Sequence, residues 1–241
     1  MTNDDASVPD LMPVASLFSG IGGIDVGLSR GDARLRPCLF CDVHPDAQAV
    51  LKHHFPEVPI HSDVRTLSRL PPDARVLTAG SPCCDFSVAN AERVGIEGEK
   101  SGLLREVFRL LSTAPGVVHV ILENVANILY LQGGAAIREI GERLSTLGFA
   151  FAYRVIDARA FGLRQRRRRM ICVASRGCDP PWWLLAHSEP PVVSRPPHLL
   201  PHWFAGFSWL DGHRGCGFEN DVVPTLRAHD TLYIQSQPAI I

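Results

Sequence analysis

The 241-residue sequence contains no run of about 18 or more apolar residues, which removes a membrane-spanning helix from consideration. Its first residues, Met1-Thr2-Asn3-Asp4-Asp5, lack the basic and apolar segments of a secretory leader. Together these two absences lead us to expect a cytoplasmic protein with no membrane partner. Cysteine is irregular: seven residues, an odd number without repeated spacing, do not make a disulfide framework. Cys38-x-x-Cys41 has no second Cys/His pair to complete a metal site, so no metal is expected and both cysteines read as strand residues around Leu39-Phe40. Net charge is also missing, −1 overall, so the molecule as a whole carries no electrostatic sign of a nucleic-acid partner. There are no internal repeats and no low-complexity tract. What is left, 46% apolar and 20% charged, is the composition of a soluble globular chain with one good core.

Charge is concentrated rather than abundant. Arg164-Gln165-Arg166-Arg167-Arg168-Arg169 puts five arginines in six positions. Ahead of it the chain alternates short apolar runs with amphipathic stretches, the pattern of a doubly wound, mostly parallel α/β sheet. Residues 1–12 read as a disordered lead. Strands are expected at Pro13–Phe18, Pro37–Cys41, Ile60–Val64, Val76–Ala79 and Val117–Leu122. Helical periodicity runs over Pro45–Phe55, Leu103–Leu111 and residues 134–147, the last closed by Gly148. Phe149–Ile156 and Met170–Ala174 read as the arms of an antiparallel hairpin. Phe86–Lys100 is polar and reads as a long loop, a kind that in compact domains is usually functional or disordered. After Ser175 seven prolines fall between Pro180 and Pro201, which reads as a loop-rich appendage over 176–241 beside a main domain over 13–175.

The chemistry gathers at the ends of the expected strands. The first ends in Ser19-Gly20-Ile21-Gly22-Gly23 before a helix, a turn whose free N–H groups suit a nucleotide-like ligand. Such a turn is weak evidence alone, since many α/β turns carry glycine for geometry. Asp42 closes the second strand and Asp63 the third. One such acid is more often a cap, but two beside a glycine turn suit an adenosine-bearing ligand. The fourth strand runs into Gly80-Ser81-Pro82-Cys83-Cys84-Asp85-Phe86-Ser87, which presents a thiol where open α/β sheets bind ligands. A free cysteine is usually a small buried hydrophobe, and only its neighbours change that reading. The fifth strand ends in Glu123-Asn124-Val125. A thiol with a carboxyl group fits addition to C6 of a pyrimidine, with the carboxyl at N3 and arginine at the ring carbonyl or a phosphate.

Taken in order, these blocks resemble the DNA (cytosine-5) methyltransferases over roughly Ser16 to Ala174. Ser16-Leu17-Phe18-Ser19-Gly20-Ile21-Gly22-Gly23 is similar to the family's S-adenosylmethionine loop, and Gly80-Ser81-Pro82-Cys83 to its Pro-Cys nucleophile loop. Glu123-Asn124-Val125 is similar to its Glu-Asn-Val block, and Gln165-Arg166-Arg167-Arg168-Arg169 fits its Gln-x-Arg-x-Arg pattern. The resemblance implies a methyltransferase-type α/β fold, S-adenosyl-L-methionine as cofactor and double-stranded DNA as partner. It implies Cys83 as nucleophile, Glu123 as partner of N3, and Arg167 and Arg169 at phosphate and cytosine carbonyl. Phe18, Gly20, Gly23, Asp42, Asp63, Pro82 and Leu103 would line the cofactor. Ser87, Asn124 and Gln165 would join the arginines on the substrate side, with Ser87–Lys100 closing over a flipped base.

The sequence departs from that pattern at Cys84 (usually Gln), Asp42 (usually Glu) and Lys100 (usually Arg). It also stops at Ile241, before the family's last helix and Gly-Asn block. That raises the expectation of a second polypeptide supplying the missing wall. A tRNA cytosine methyltransferase and an inactive subunit needing a partner stay open as alternatives. A dehydrogenase reading leaves Cys83, Glu123 and the arginines unexplained.

Overall fold

The computed structural model describes residues 11–81, 102–163, 165–178, 205–209 and 216–220. In the first of two compact units, Met1–Ile156 with Arg168–Ser188, the chain alternates strand and helix as the apolar periodicity requires. β1 (Met12–Leu17), α1 (Gly23–Gly31), β2 (Leu35–Cys41), α2 (Pro45–His54) and β3 (Ile60–His61) come first. β4 (Val76–Gly80), α3 (Leu103–Ser112), β5 (His119–Val125), α4 (Ala135–Thr146), β6 (Phe149–Asp157) and β7 (Arg168–Arg176) follow. The strands form one seven-stranded sheet in the order β3-β2-β1-β4-β5-β7-β6. Pairing is parallel from β3 through β5, and β7 joins β5 antiparallel. The order reverses between β1 and β4, and in open α/β sheets ligands bind outside the carboxyl ends of the strands at that switch point.

The core explains the strand sequences. Val14, Ala15, Leu17, Val76, Leu77, Ala79, Val120 and Leu122 are buried, because parallel strands covered on both faces have no solvent side to keep polar. α3 buries Leu104, Val107, Phe108, Leu110 and Leu111 against the sheet. α4 approaches β6 so closely at Gly141 that a Cβ there would stand 2.6 Å from the Phe151 ring. Among the described residues no helix is long and apolar enough to cross a membrane.

Several boundaries differ from the periodicity. β3 is only Ile60–His61 rather than reaching Val64, because the next turn captures the backbone: Arg65 N–H donates to Asp63 Oδ1 at 2.9 Å and Thr66 N–H to Asp63 O at 3.0 Å. β5 starts at His119 and continues through Glu123-Asn124-Val125, which are strand residues and not the loop beyond it. Their ladder comes from β7, where Val125 pairs with Arg169, a partner distant in sequence. Two 3₁₀ turns, Ala126–Leu129 and Leu131–Gly134, fill the gap before α4. Of the lead expected over 1–12, Met12 already pairs in β1, while residues 1–10, the loop expected over 86–100 and most of the proline-rich stretch lie outside the described residues.

The second unit comprises Asp157–Arg167 and Glu189–Ile241. In it, Asp157 caps the 3₁₀ turn Ala158–Phe161 by accepting the N–H of Arg159 at 3.1 Å. β8 (Ala205–Trp209) and β9 (Cys216–Asn220) make an antiparallel ribbon with Phe207 opposite Phe218.

One buried charge in the first unit has a measurable signature. Asp25, in the first turn of α1, is buried; its Oδ2 accepts the Ser16 hydroxyl at 2.8 Å and its Oδ1 has no hydrogen-bond partner among the described residues. Burial pushes its carboxyl from 3.8 to about 6, against the pull of the Ser16 bond. The folded state therefore holds this proton more tightly than the unfolded chain. The associated stability is complete below about pH 4 and is lost as pH rises through about 6, by up to about 3 kcal/mol. Asp25→Asn is expected to gain on wild type in thermal melts between pH 4 and pH 7, while a difference independent of pH would contradict the buried carboxyl.

Candidate active site

The site is built from strand ends. β1 ends at Leu17, and Phe18 after it has a left-handed φ of 53°, a conformation that bulky side chains rarely hold without compensating structure. The turn continues through Gly20 (φ 54°) and Gly22 (φ 81°) into α1. At Gly22 glycine is needed twice, since a Cβ would also stand 3.1 Å from Leu51 and 3.2 Å from Phe55. β2 is stitched to this turn. Ser19 N–H donates to Cys41 O at 3.1 Å, and Cys41 N–H donates to Ser19 Oγ at 3.1 Å. Asp42 then accepts Gly20 N–H on Oδ2 at 2.7 Å and His44 N–H on Oδ1 at 2.9 Å. A carboxylate receiving backbone N–H groups makes a short, charge-assisted clamp.

Beside this clamp lies a cleft of about 400 Å³, lined among others by Phe18, Asp42, Asp63, Val64, Gly80 and Leu103. That volume falls in the range of small-molecule sites, roughly 300–1,000 Å³. Asp63 faces its own neighbour: Arg65 holds both carboxylate oxygens, with Nη2 2.7 Å from Oδ2, and these bonds lower the Asp63 carboxyl below its ordinary value. Cys41 also lines the cleft, yet burial first, and the charges of Asp42 and Asp63 second, push its thiol up to about 12. Burial does the same to Cys38 and Cys172. These thiols are packing groups, not nucleophiles.

Gly80 joins the cleft to Glu123. The two residues pair across β4 and β5, and a Cβ at Gly80 would stand 3.6 Å from Glu123 Oε2, 3.6 Å from Phe18 O and 3.7 Å from Ile24 Cδ1. Glu123 in turn meets Arg169, whose Nε is 2.8 Å from Oε1, with both side chains about three-quarters withdrawn from solvent (22% and 23% exposed). The antiparallel register explains the pair. Val125 stands opposite Arg169, which makes Glu123 a diagonal neighbour on the same face, within reach of a long side chain. Arg168, next along the strand, is exposed.

Asn124 faces the other side of β5 and is 3% exposed; its Nδ2 donates to Ser81 Oγ at 2.9 Å and its Oδ1 accepts Val125 N–H at 2.8 Å. Its side chain thereby fastens the residue that precedes Pro82 and Cys83 to the strand carrying Glu123. Pro82, Cys83 and Ser87 themselves lie outside the described residues. Gln165 and Arg167 belong to the second unit, where Arg167 O accepts the N–H of Ala158 at 3.0 Å. The structure thus brings together Phe18, Gly20, Asp42, Asp63 and Leu103 around the cleft, with Glu123 and Arg169 beyond Gly80; Gly23 opens α1. Sequence reading missed Gly80 as the joint between the two groups and Ser81 as the partner of Asn124. It also missed Arg65, although an Asp-x-Arg spacing at a strand end was there to be seen. Among the described residues no cluster of His, Cys, Asp and Glu is arranged to hold a metal ion.

Comparison with known proteins agrees with this arrangement. The family model for C-5 cytosine-specific DNA methylase matches residues 12–184. The type II methyltransferase M2.BsuMI of Bacillus subtilis (strain 168) is 39% identical over 234 residues, covering 95% of this chain and 59% of its own. The type II methyltransferase M.Bsp6I of Bacillus sp. (strain RFL6) is 34% identical over 172 residues, covering 70% of this chain and 54% of its own. The chain thus spans little more than half the length of these relatives. In fold, the S. pombe Dnmt2 methyltransferase superposes with a TM-score of 0.57 at 19% identity, over 70% of this chain and 50% of that one. With its family match running from β1 past β7, over the glycine turn, Asp42, Gly80, Glu123 and Arg169, the chain belongs to the C-5 cytosine-specific DNA methylases.

Proposed function

We propose that this protein transfers a methyl group from S-adenosyl-L-methionine to C5 of cytosine in double-stranded DNA, in the cytoplasm. The observation that supports this most is the Gly80 joint, which sets a cofactor-sized cleft beside a carboxyl group already paired with arginine. The cleft suits an adenosine-bearing cofactor: a left-handed turn without side chains at Gly20 and Gly22, acids at two strand tips, and apolar Phe18, Val64 and Leu103. When bound, such a cofactor supplies an electrophilic methyl group.

The chain's own residues do the remaining work. The Cys83 thiolate adds to C6 of a cytosine turned out of the helix, forming a C–S bond while the C5–C6 π pair moves toward C5. Glu123, held by Arg169, delivers a proton to N3 as the thiolate adds, which neutralises the negative charge entering the ring, and it takes that proton back when Cys83 leaves. Among the described residues Arg169 meets Glu123 Oε1 through Nε and donates to Arg168 O through Nη1, which leaves Nη2 to donate to the cytosine carbonyl. After transfer the C5 proton leaves as a base takes it, the π bond re-forms and Cys83 departs. Arg167 and Gln165 act on the DNA side, with Arg167 at phosphate. Asn124 sets the root of the cysteine turn through Ser81.

Ile21 and Val43 stand 65% and 60% exposed at the strand tips, and Val43 lines the cleft. A second polypeptide resting on them is the partner we propose to close it. Methyl transfer by purified residues 1–241 at the rate of the co-expressed pair would remove the need for that partner.

Three further outcomes follow from the assignments. An oligonucleotide carrying 5-fluorocytosine, with S-adenosylmethionine present, is expected to trap a covalent complex with wild type and none with Cys83→Ser; equal trapping would sink the nucleophile. Glu123→Gln is expected to slow single-turnover methylation about 10²–10⁴-fold while DNA affinity changes little. Asp42→Asn keeps one acceptor oxygen for two N–H groups. An unpaired polar group costs about 1–3 kcal/mol, so affinity for S-adenosylhomocysteine is expected to fall about tenfold or more in calorimetry.

A further inference from the structure

The wall of the cleft that carries Asp63, Val64 and Arg65 is a single turn beyond the end of β3, and the side-chain bond between His61 Nε2 and Thr66 Oγ1, 2.9 Å, ties it back to that strand. β3 has ended at His61, and the turn's own bonds run from Thr66 N–H to Asp63 O and from Leu67 N–H to Val64 O. Val64 O and Leu67 O also take donors from a residue more than forty positions away. Arg109 of α3 reaches across with Nη2, 3.2 Å from Val64 O and 2.8 Å from Leu67 O. Its Nε is 2.6 Å from Glu106 Oε2, one turn earlier on the same helix, which fixes the plane of the guanidinium. The same helix begins with Leu103, which also lines the cleft. One side chain therefore links the two elements whose separation sets the width of the cleft.

We propose that Arg109, oriented by Glu106, is a positioning residue for the cofactor: it sets the distance between the Asp63–Leu67 turn and the start of α3. The inference rests on the cofactor reading of the cleft. Arginine is suited to this task and lysine is not. A guanidinium donates in fixed directions from one plane, so a bond to Glu106 through Nε aims Nη2 at the two carbonyls. An ammonium on a flexible stem has no such aim, and it would have to choose between the carboxylate and the carbonyls. Without Arg109, Val64 O keeps Leu67 N–H as donor, but Leu67 O loses the guanidinium, and with Val64 and Leu67 buried in the core that carbonyl cannot turn freely to water. The turn would instead shift, and Asp63, Val64 and Arg65 would move with it.

The test uses the full chain, with S-adenosylhomocysteine as probe and a DNA duplex as the second ligand. Arg109→Lys is expected to raise the Kd for S-adenosylhomocysteine at least tenfold, and the KM for S-adenosylmethionine with it. The DNA Kd and kcat at saturating cofactor should stay within about twofold. Amide exchange should quicken at Arg65, Thr66 and Leu67 and not in the strands. Arg143→Lys is the control, because Arg143 pairs with Glu139 on α4 and stacks on Phe108 of α3, away from the turn's carbonyls. It should leave the cofactor Kd unchanged. An Arg109→Lys protein with wild-type cofactor affinity overturns the proposal, and so does an equal loss of cofactor and DNA affinity. If Arg109→Lys does not fold, Glu106→Gln takes its place with an expected threefold or greater rise in the same Kd, and no rise overturns the proposal. Failure of wild type to bind S-adenosylhomocysteine counts against the cofactor reading instead.

Discussion

A single carboxylate, that of Asp42, takes the N–H groups of Gly20 and His44, and the arrangement of the cofactor side depends on this clamp. The turn after β1 runs through left-handed residues, Phe18 included, and such a backbone does not persist unless its surroundings hold it. The Asp42 clamp, the Ser19–Cys41 bonds and the packing of Gly22 against Leu51 and Phe55 supply that hold. They tie the end of β1 to the end of β2, two strands already parallel and adjacent, so the clamp adds alignment rather than a new contact. With the turn fixed, Phe18 faces the cleft and the start of α1 is set beneath it.

The reacting side depends on a different device. A purely parallel sheet would leave Glu123 at a strand tip with no strand beyond it to supply a cation. The antiparallel β7 changes this, because its register sets Arg169 diagonally across from Glu123 on one face. The pair is withdrawn from solvent without being sealed, a balance that matters for an ion pair. Full burial would add a large desolvation cost, and full exposure would leave an interaction of small worth. Gly80 lies between this pair and the cofactor turn with no side chain to separate them. The cleft and the ion pair thus adjoin each other at a position where a Cβ would stand between them.

Much of this was legible in the sequence. The strands, the helices and the parallel architecture follow from apolar runs and helical stripes, which are local properties of the chain. So do the glycine turn, the two acids at strand tips and the arginine run, because each is a short motif whose residue types carry their own physical meaning. Glycine was readable at Gly20 and Gly22 for the same reason: a left-handed turn has few other occupants.

What only the tertiary structure decided are the partners. Asp63 read as a strand-tip acid for an adenosine-bearing ligand, and it is engaged by Arg65, whose reach depends on a turn that replaced the end of β3. Asn124 looked like a substrate contact and is buried against Ser81, because β5 continues as a strand when β7 pairs with it. Arg109 lies within the expected Leu103–Leu111 helix with no signal of its own in the sequence, and it donates to carbonyls of a turn some forty residues earlier. In each case the sequence by itself determined the chemical group and its neighbourhood in the chain, since propensity and periodicity act over a few residues. The partner was chosen by strand register and helix docking, which bring together residues that no local pattern relates.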